Sequence, residues 1–142
     1  MELLHTEAGP LQVAVRHIMS PGVIALSSDS TIGACASAMR DRGTHAVLIV
    51  DEATRLPQGW MSHMSLLAHI DQDPLTTVAG DAVSHDVAVI PPEATVAEAA
   101  ARMLSEGLTH LLVASSIKAI PEGVISSWDI VAFYATSFGR SP

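Results

Sequence analysis

Short apolar runs bounded by turn residues alternate along this chain with stretches whose apolar residues recur at helical spacing. Val23–Leu26 and Val87–Ile90 lie beside Pro21-Gly22 and Pro91-Pro92 and predict strands. Val47–Val50 and Leu111–Ala114 are unbroken apolar runs, the pattern of strands buried on both faces. Trp60–Met61 and Val124–Ile125 predict a third strand, each leading into a closing helix. Between first and second strands, Val96, Ala99, Ala100, Met103 and Leu104 form one helical stripe, and Ile32, Cys35, Ala36 and Met39 another. Thr95, with Glu98 three residues on, has the form of a capping box. Thr31 lacks that acid, because Ala34 stands in its place, and Gly33 weakens the first turn by about 1 kcal/mol relative to alanine. Gly43 and Gly107 stand where helices end. The order β-α-β-β-α is predicted twice.

The two sets superpose at an offset of 64. Thr31 meets Thr95, Met39 meets Met103, Gly43 meets Gly107, Leu48 meets Leu112, Gly59 meets Gly123 and Ser62 meets Ser126. Upstream, Ser20 meets Ser84. The Thr-His pairs at 44–45 and 109–110 prefer an offset of 65, but 64 keeps both flanks aligned without an insertion. A unit that occurs twice and cannot bury its apolar face alone packs on its copy. The expectation is an α/β (α+β) chain. It divides into a leading tail 1–13, one repeat at 14–71, a second at 72–136 and a closing tail 137–142, with the repeats about a pseudo-twofold axis.

Composition narrows the function. Half the 142 residues are apolar but only 4% are aromatic, so the core is aliphatic. No apolar run approaches the ~20 residues of a membrane span, and the opening MELLHTEAGP lacks the basic start of a secretory leader. One cysteine, Cys35, gives no disulfide framework and falls on a core stripe. These features predict a cytoplasmic protein without membrane association. A net charge of −8 with scattered basic residues excludes general nucleic-acid binding, though not one small phosphate ligand. Seven histidines, at 5, 17, 45, 63, 69, 85 and 110, include no helical His-x-x-x-His pair, so no metal site is expected. Without a glycine-rich phosphate loop, paired catalytic carboxylates or a nucleophile elbow, no catalytic residues and no enzyme activity are expected.

Gly123-Val124-Ile125-Ser126-Ser127-Trp128-Asp129 resembles the signature glycine, two apolar residues, a hydroxyl and an acid three further on of the CBS-domain family. The strand region Gly107-Leu108-Thr109-His110-Leu111-Leu112-Val113 resembles the family's second strand, with Leu112 in place of proline. The first copy reads Gly59-Trp60-Met61-Ser62-His63-Met64-Ser65, with Ser65 at the acid's position. Over residues 14 to 135 the chain looks like a tandem CBS pair, or Bateman module.

That resemblance implies a cleft ligand containing adenosine: AMP, ADP, ATP or S-adenosylmethionine, with no cofactor required. Its implied contacts are Asp129 for ribose, Ser126 and Ser127 for phosphate, and Val87, Val89 and Leu111 as walls for the base, with Gly123, Thr109 and His110 also lining the site. A weaker second site would use Ser62, His63, Ser65 and Val47. A helix N-terminus suits a phosphate, but neither signature carries a lysine or arginine, which favours AMP or another adenosyl ligand of low charge. The resemblance also implies a homodimer, with output through that oligomer or a protein partner. Two readings of Ser126-x-x-Asp129 stand side by side: a ligand grip, and a capping box contributing about 1 kcal/mol to the helix. The alternative function is an interaction module with vestigial clefts.

Overall fold

The computed structural model describes residues 9–83 and 86–139. The strands are β1 (Ser20–Pro21), β2 (Ala25–Ser27), β3 (Ala46–Val50), β4 (Pro57–Ser62), β5 (Val89–Ile90), β6 (His110–Val113) and β7 (Gly123–Ser126). The α-helices are α1 (Ile32–Arg42), α2 (His63–Ala68), α3 (Val96–Glu106) and α4 (Ser127–Gly139). The chain forms two compact units. The first runs from Val23 to Val87, and the second joins the chain up to Gly22 with the chain from Ala88 onward. In the first, β2-β3-β4 form a sheet; in the second, β1-β7-β6-β5 do.

The offset of 64 is kept hydrogen bond by hydrogen bond. Ala25 pairs with Leu48 in parallel, as Val89 pairs with Leu112. Ala46 opposes Ser62 as His110 opposes Ser126. Thr31 caps α1 by accepting from Ala34 N at 3.1 Å, while Thr95 and Glu98 complete both halves of the box on α3. Gly43 and Gly107 close these helices in the left-handed conformation, at φ 63° and 67°. An offset of 65 would put every strand residue opposite a residue of the other face. The shared Thr-His dipeptide is therefore not a structural match: His45 occupies the position of Thr109, and Ala46 that of His110.

Each repeat's leading segment packs on the other repeat. Val15 N donates to Ala94 O at 2.7 Å, Val96 N donates to Val13 O at 2.8 Å, and Ala14 bridges Thr95. Sixty-four residues later Ala79 N donates to Ser30 O at 2.7 Å, Ile32 N donates to Thr77 O at 2.9 Å, and Thr31 bridges Val78. Val15 and Ala79, opening equivalent 3-10 turns at Val15–His17 and Ala79–Asp81, are both fully buried. Val15 joins Ile90, Ala99, Met103, Leu111, Val113 and Ile125 in the second unit's core. Ala79 joins Ile32, Cys35, Met39, Val47, Ile49, Met61 and Val83 in the first. Residues 9–13 thus contribute a 3-10 turn and a hydrogen bond to the second unit, and residues 137–139 finish α4. The rest of the expected tails, at 1–8 and 140–142, and His5, Ser84 and His85, lie outside the described residues.

Two sequence expectations are corrected. The helical stripes are narrower than predicted. Val96, Ala99 and Met103 are buried, but Leu104, about 100° further round the helix, is 85% exposed. Ala36 is exposed in α1 for the same reason, and Ala100 is only half-buried. Gly33 is also more than a weak helix residue. Its N–H donates to Pro74 O at 3.0 Å, and a side-chain carbon there would stand 2.8 Å from that oxygen. The missing Cβ admits the segment after α2 against α1, which offsets the lost helix propensity.

Candidate functional site

β7 passes into α4 without a linker, so the last strand residue, Ser126, is also the residue that caps the helix. Its hydroxyl accepts from Asp129 N at 3.0 Å, and Asp129 Oδ2 accepts from Ser126 N at 2.8 Å. The capping reading is therefore realised in full. Asp129 Oδ1 takes no hydrogen bond among the described residues. The carboxylate is half-buried, so it retains an acceptor oxygen at the N-terminus of a 13-residue helix.

Neighbouring groups are gathered by the sheet. Ser127 N donates to Thr109 O at 2.9 Å, which fixes the start of α4 against the start of β6. His110 lies directly across from Ser126, and its Nδ1 is 2.9 Å from Thr109 Oγ1. Ser126, Ser127, Asp129, Thr109 and His110 thus meet at one corner of the second unit. The exposed side chains of Ser127 and Thr109 border the half-buried Asp129 and His110.

Other expected site residues stand elsewhere. Gly123 is at the opposite end of β7, paired with Pro21. A side-chain carbon there would meet the Ser20 carbonyl and stand 2.7 Å from Met19 Sδ, so this glycine makes room for β1. Leu111 points into the second unit's core and is fully buried, as is Val47 in the first. Val89 is half-buried in β5, and its carbonyl accepts from Arg102 Nη1 at 2.6 Å. Arg102 also meets Glu106 at 3.1 Å, and Arg40 meets Asp41 at 3.0 Å. Val87 is half-buried at the end of the first unit.

The first unit builds the same corner with different chemistry. Ser62 Oγ accepts from Ser65 N at 3.1 Å, and Ser65 Oγ accepts from Ser62 N at 3.3 Å. Serine thus reproduces the reciprocal cap without a charge. His63 N donates to His45 O at 3.0 Å, matching Ser127 and Thr109, and the two imidazoles touch edge-on with centroids 5.4 Å apart. Sequence reading missed His45, although the 64-residue offset places it at the Thr109 position.

Cys35 is core rather than chemistry: burial pushes its thiol up to about 11, which disfavours the reactive thiolate. Among the described residues no three His, Cys, Asp or Glu side chains converge on a metal position. No helix among them is long and apolar enough to cross a membrane.

The CBS-domain family model matches this chain twice, over residues 15–71 and 79–136. The chain belongs to the CBS-domain family. It carries the tandem arrangement, and solved CBS proteins share its fold. A CBS-domain protein from Agrobacterium tumefaciens is 18% identical with a TM-score of 0.75, covering 87% of this chain and 95% of that one. A putative acetoin utilization protein from Vibrio cholerae is 23% identical with a TM-score of 0.73, covering 89% and 93%. A CBS domain pair solved in complex with 5′-methylthioadenosine and S-adenosyl-L-methionine is 18% identical with a TM-score of 0.77, covering 87% and 97%. No curated protein matches the chain in sequence.

Proposed function

We propose that this CBS pair is a cytoplasmic, non-catalytic sensor. It binds one adenosine-containing ligand of low charge, AMP or a similar adenosyl compound, beside Asp129. The observation that carries this reading is the geometry of the carboxylate. One oxygen is held by Ser126 N, which fixes the side chain, and the other is left to accept from vicinal ribose hydroxyls. The amides opening α4, with the Ser127 and Thr109 hydroxyls, suit a phosphate or another polar substituent. A solved CBS pair holding two adenosyl compounds supports the ligand class. The absence of lysine and arginine from the signature segment 123–129, with a net charge of −8, disfavours a triphosphate.

Output passes through a homodimer. Met64, Leu67 and Ile70 are exposed on and just beyond α2, and Trp128, Val131 and Tyr134 are exposed on α4. These are equivalent positions at the 64-residue offset, so each repeat presents the same apolar stripe. Trp128 at 71% and Ile70 at 74% exposure are costly to leave in water. A second copy carries the same apolar stripes and is the occupant proposed for them. Ligand shifts the assembly only as far as it binds one arrangement better than another. In sedimentation velocity the wild type is expected to run as a dimer and Val131→Glu as a monomer; a monomeric wild type would remove this step.

The ligand is tested by thermal shift with AMP, ADP, ATP, NADH and S-adenosylmethionine. At a hundred-fold excess over Kd the bound compound stabilises by about 2.7 kcal/mol. AMP or S-adenosylmethionine is expected to raise Tm more than ATP. Equal melting with every compound would leave the interaction module, which the same exposed stripes favour.

A further inference from the structure

We propose that His45 and His63 form a two-imidazole site for a divalent metal ion of the zinc class on the first unit, with the remaining coordination positions taken by solvent. This stands apart from the adenosyl reading, which uses the other unit, so the two fail separately.

The ring geometry is the starting point. Two imidazoles on a tetrahedral ion, each with a Zn–N bond of about 2.0–2.1 Å, place their centroids roughly 5.2 Å apart. The His45 and His63 centroids are 5.4 Å apart in an edge contact with the rings inclined at 69°, so the separation of such a pair is already in place and the exposed rings have only to turn. The pair is also pre-positioned. His63 N donates to His45 O at 3.0 Å, tying the start of α2 to the residue before β3. His63 Nδ1 faces that same carbonyl at 3.5 Å, an orientation that turns Nε2 outward. Metal-bound histidines commonly direct their second ring nitrogen at a carbonyl in this way. Both side chains are exposed, so an ion reaches them without opening the fold.

Thr109 and Ser127 hold the equivalent backbone bond in the second unit, where Asp129 supplies the acceptor chemistry. In the first unit the acid is replaced by Ser65, and both flanking hydroxyl residues are replaced by imidazoles. One corner is built to accept hydroxyl hydrogens. Its counterpart presents two imidazole rings, a ligand type that suits a borderline cation.

The test uses the full chain with Zn2+ and Co2+ as probes. His45→Thr and His63→Ser install the residues the fold already tolerates at the equivalent positions, and melting without metal checks that both variants fold. The wild type is expected to bind one ion per chain and, with Co2+, to give the strong visible absorption of a tetrahedral complex. Either variant removes one of the two protein ligands and is expected to weaken binding by at least about ten-fold, the cost of losing even an outer-shell partner, while His17→Ala and His69→Ala leave it unchanged. Absence of saturable binding to the wild type, or equal affinity in His45→Thr and His63→Ser, would overturn the proposal. So would an equal loss in the two control variants.

Discussion

A single charge placed at Val15 is expected to unfold the second unit and spare the first. Val15 is completely buried in the second unit's core although it precedes that unit's other core residues by more than seventy positions. Val15→Asp puts an unpaired carboxylate among Ile90, Ala99, Leu111 and Ile125, at a cost of more than about 4 kcal/mol. That is most of the stability of a small domain. A chain starting at Val23 is expected to behave in the same way, because it also loses β1 and the bonds Val15 N to Ala94 O and Val96 N to Val13 O. The equivalent change, Ala79→Asp, is expected to damage the first unit instead. Arg16→Asp, exposed beside Val15, serves as the surface control. Native-state hydrogen exchange reads the outcome strand by strand. If β6 and β7 keep their protection in Val15→Asp, the exchange of leading segments does not hold the second unit together.

The second large effect separates capping from binding. Asp129→Ala removes both the Ser126 N acceptor and the proposed ribose acceptor, so its result is ambiguous. Asp129→Ser does not have this fault, because the first unit already caps the same corner with Ser65. Stability is expected to change by less than about 1 kcal/mol. Adenosyl affinity is expected to fall roughly ten- to hundred-fold, the loss of a charge-assisted hydrogen bond contributing about 1.5–3 kcal/mol. Calorimetric titration beside a melting curve distinguishes the two roles. Unchanged affinity in a stable Asp129→Ser chain would leave the carboxylate as a cap alone.

Much of this was legible in the chain. The β-α-β-β-α order, both N-caps, both C-terminal glycines and the offset of 64 rest on local chemistry, which a sequence displays directly. The exchange of leading segments was not legible. Val13-Ala14-Val15 reads as a short apolar run that names no partner, and only the fold shows it against Ala94, Thr95 and the core around Ile90. The reach of the helical stripes was overread, because periodicity marks a direction and not how far the covering sheet extends; Leu104 fell just outside it. At the site, Ser126 and Asp129 were legible from spacing and resemblance. Leu111 was not separable from a ligand wall, since a fully buried core leucine and a base-stacking one look alike in a strand. Gly123 had two possible reasons to be glycine, and the approach of Met19 and Ser20 supplies the structural one. His45 escaped because its neighbour in space, His63, is eighteen residues away and outside any helical metal motif.

The most direct test of the sensor reading is a two-dimensional amide NMR titration of the full chain with AMP. The predicted result is saturable shifts at Ser126, Ser127, Asp129 and Thr109, with Ser62 and Ser65 moving little. Saturating AMP that leaves the Ser126–Asp129 amides in place, or shifts confined to the other unit, would contradict it.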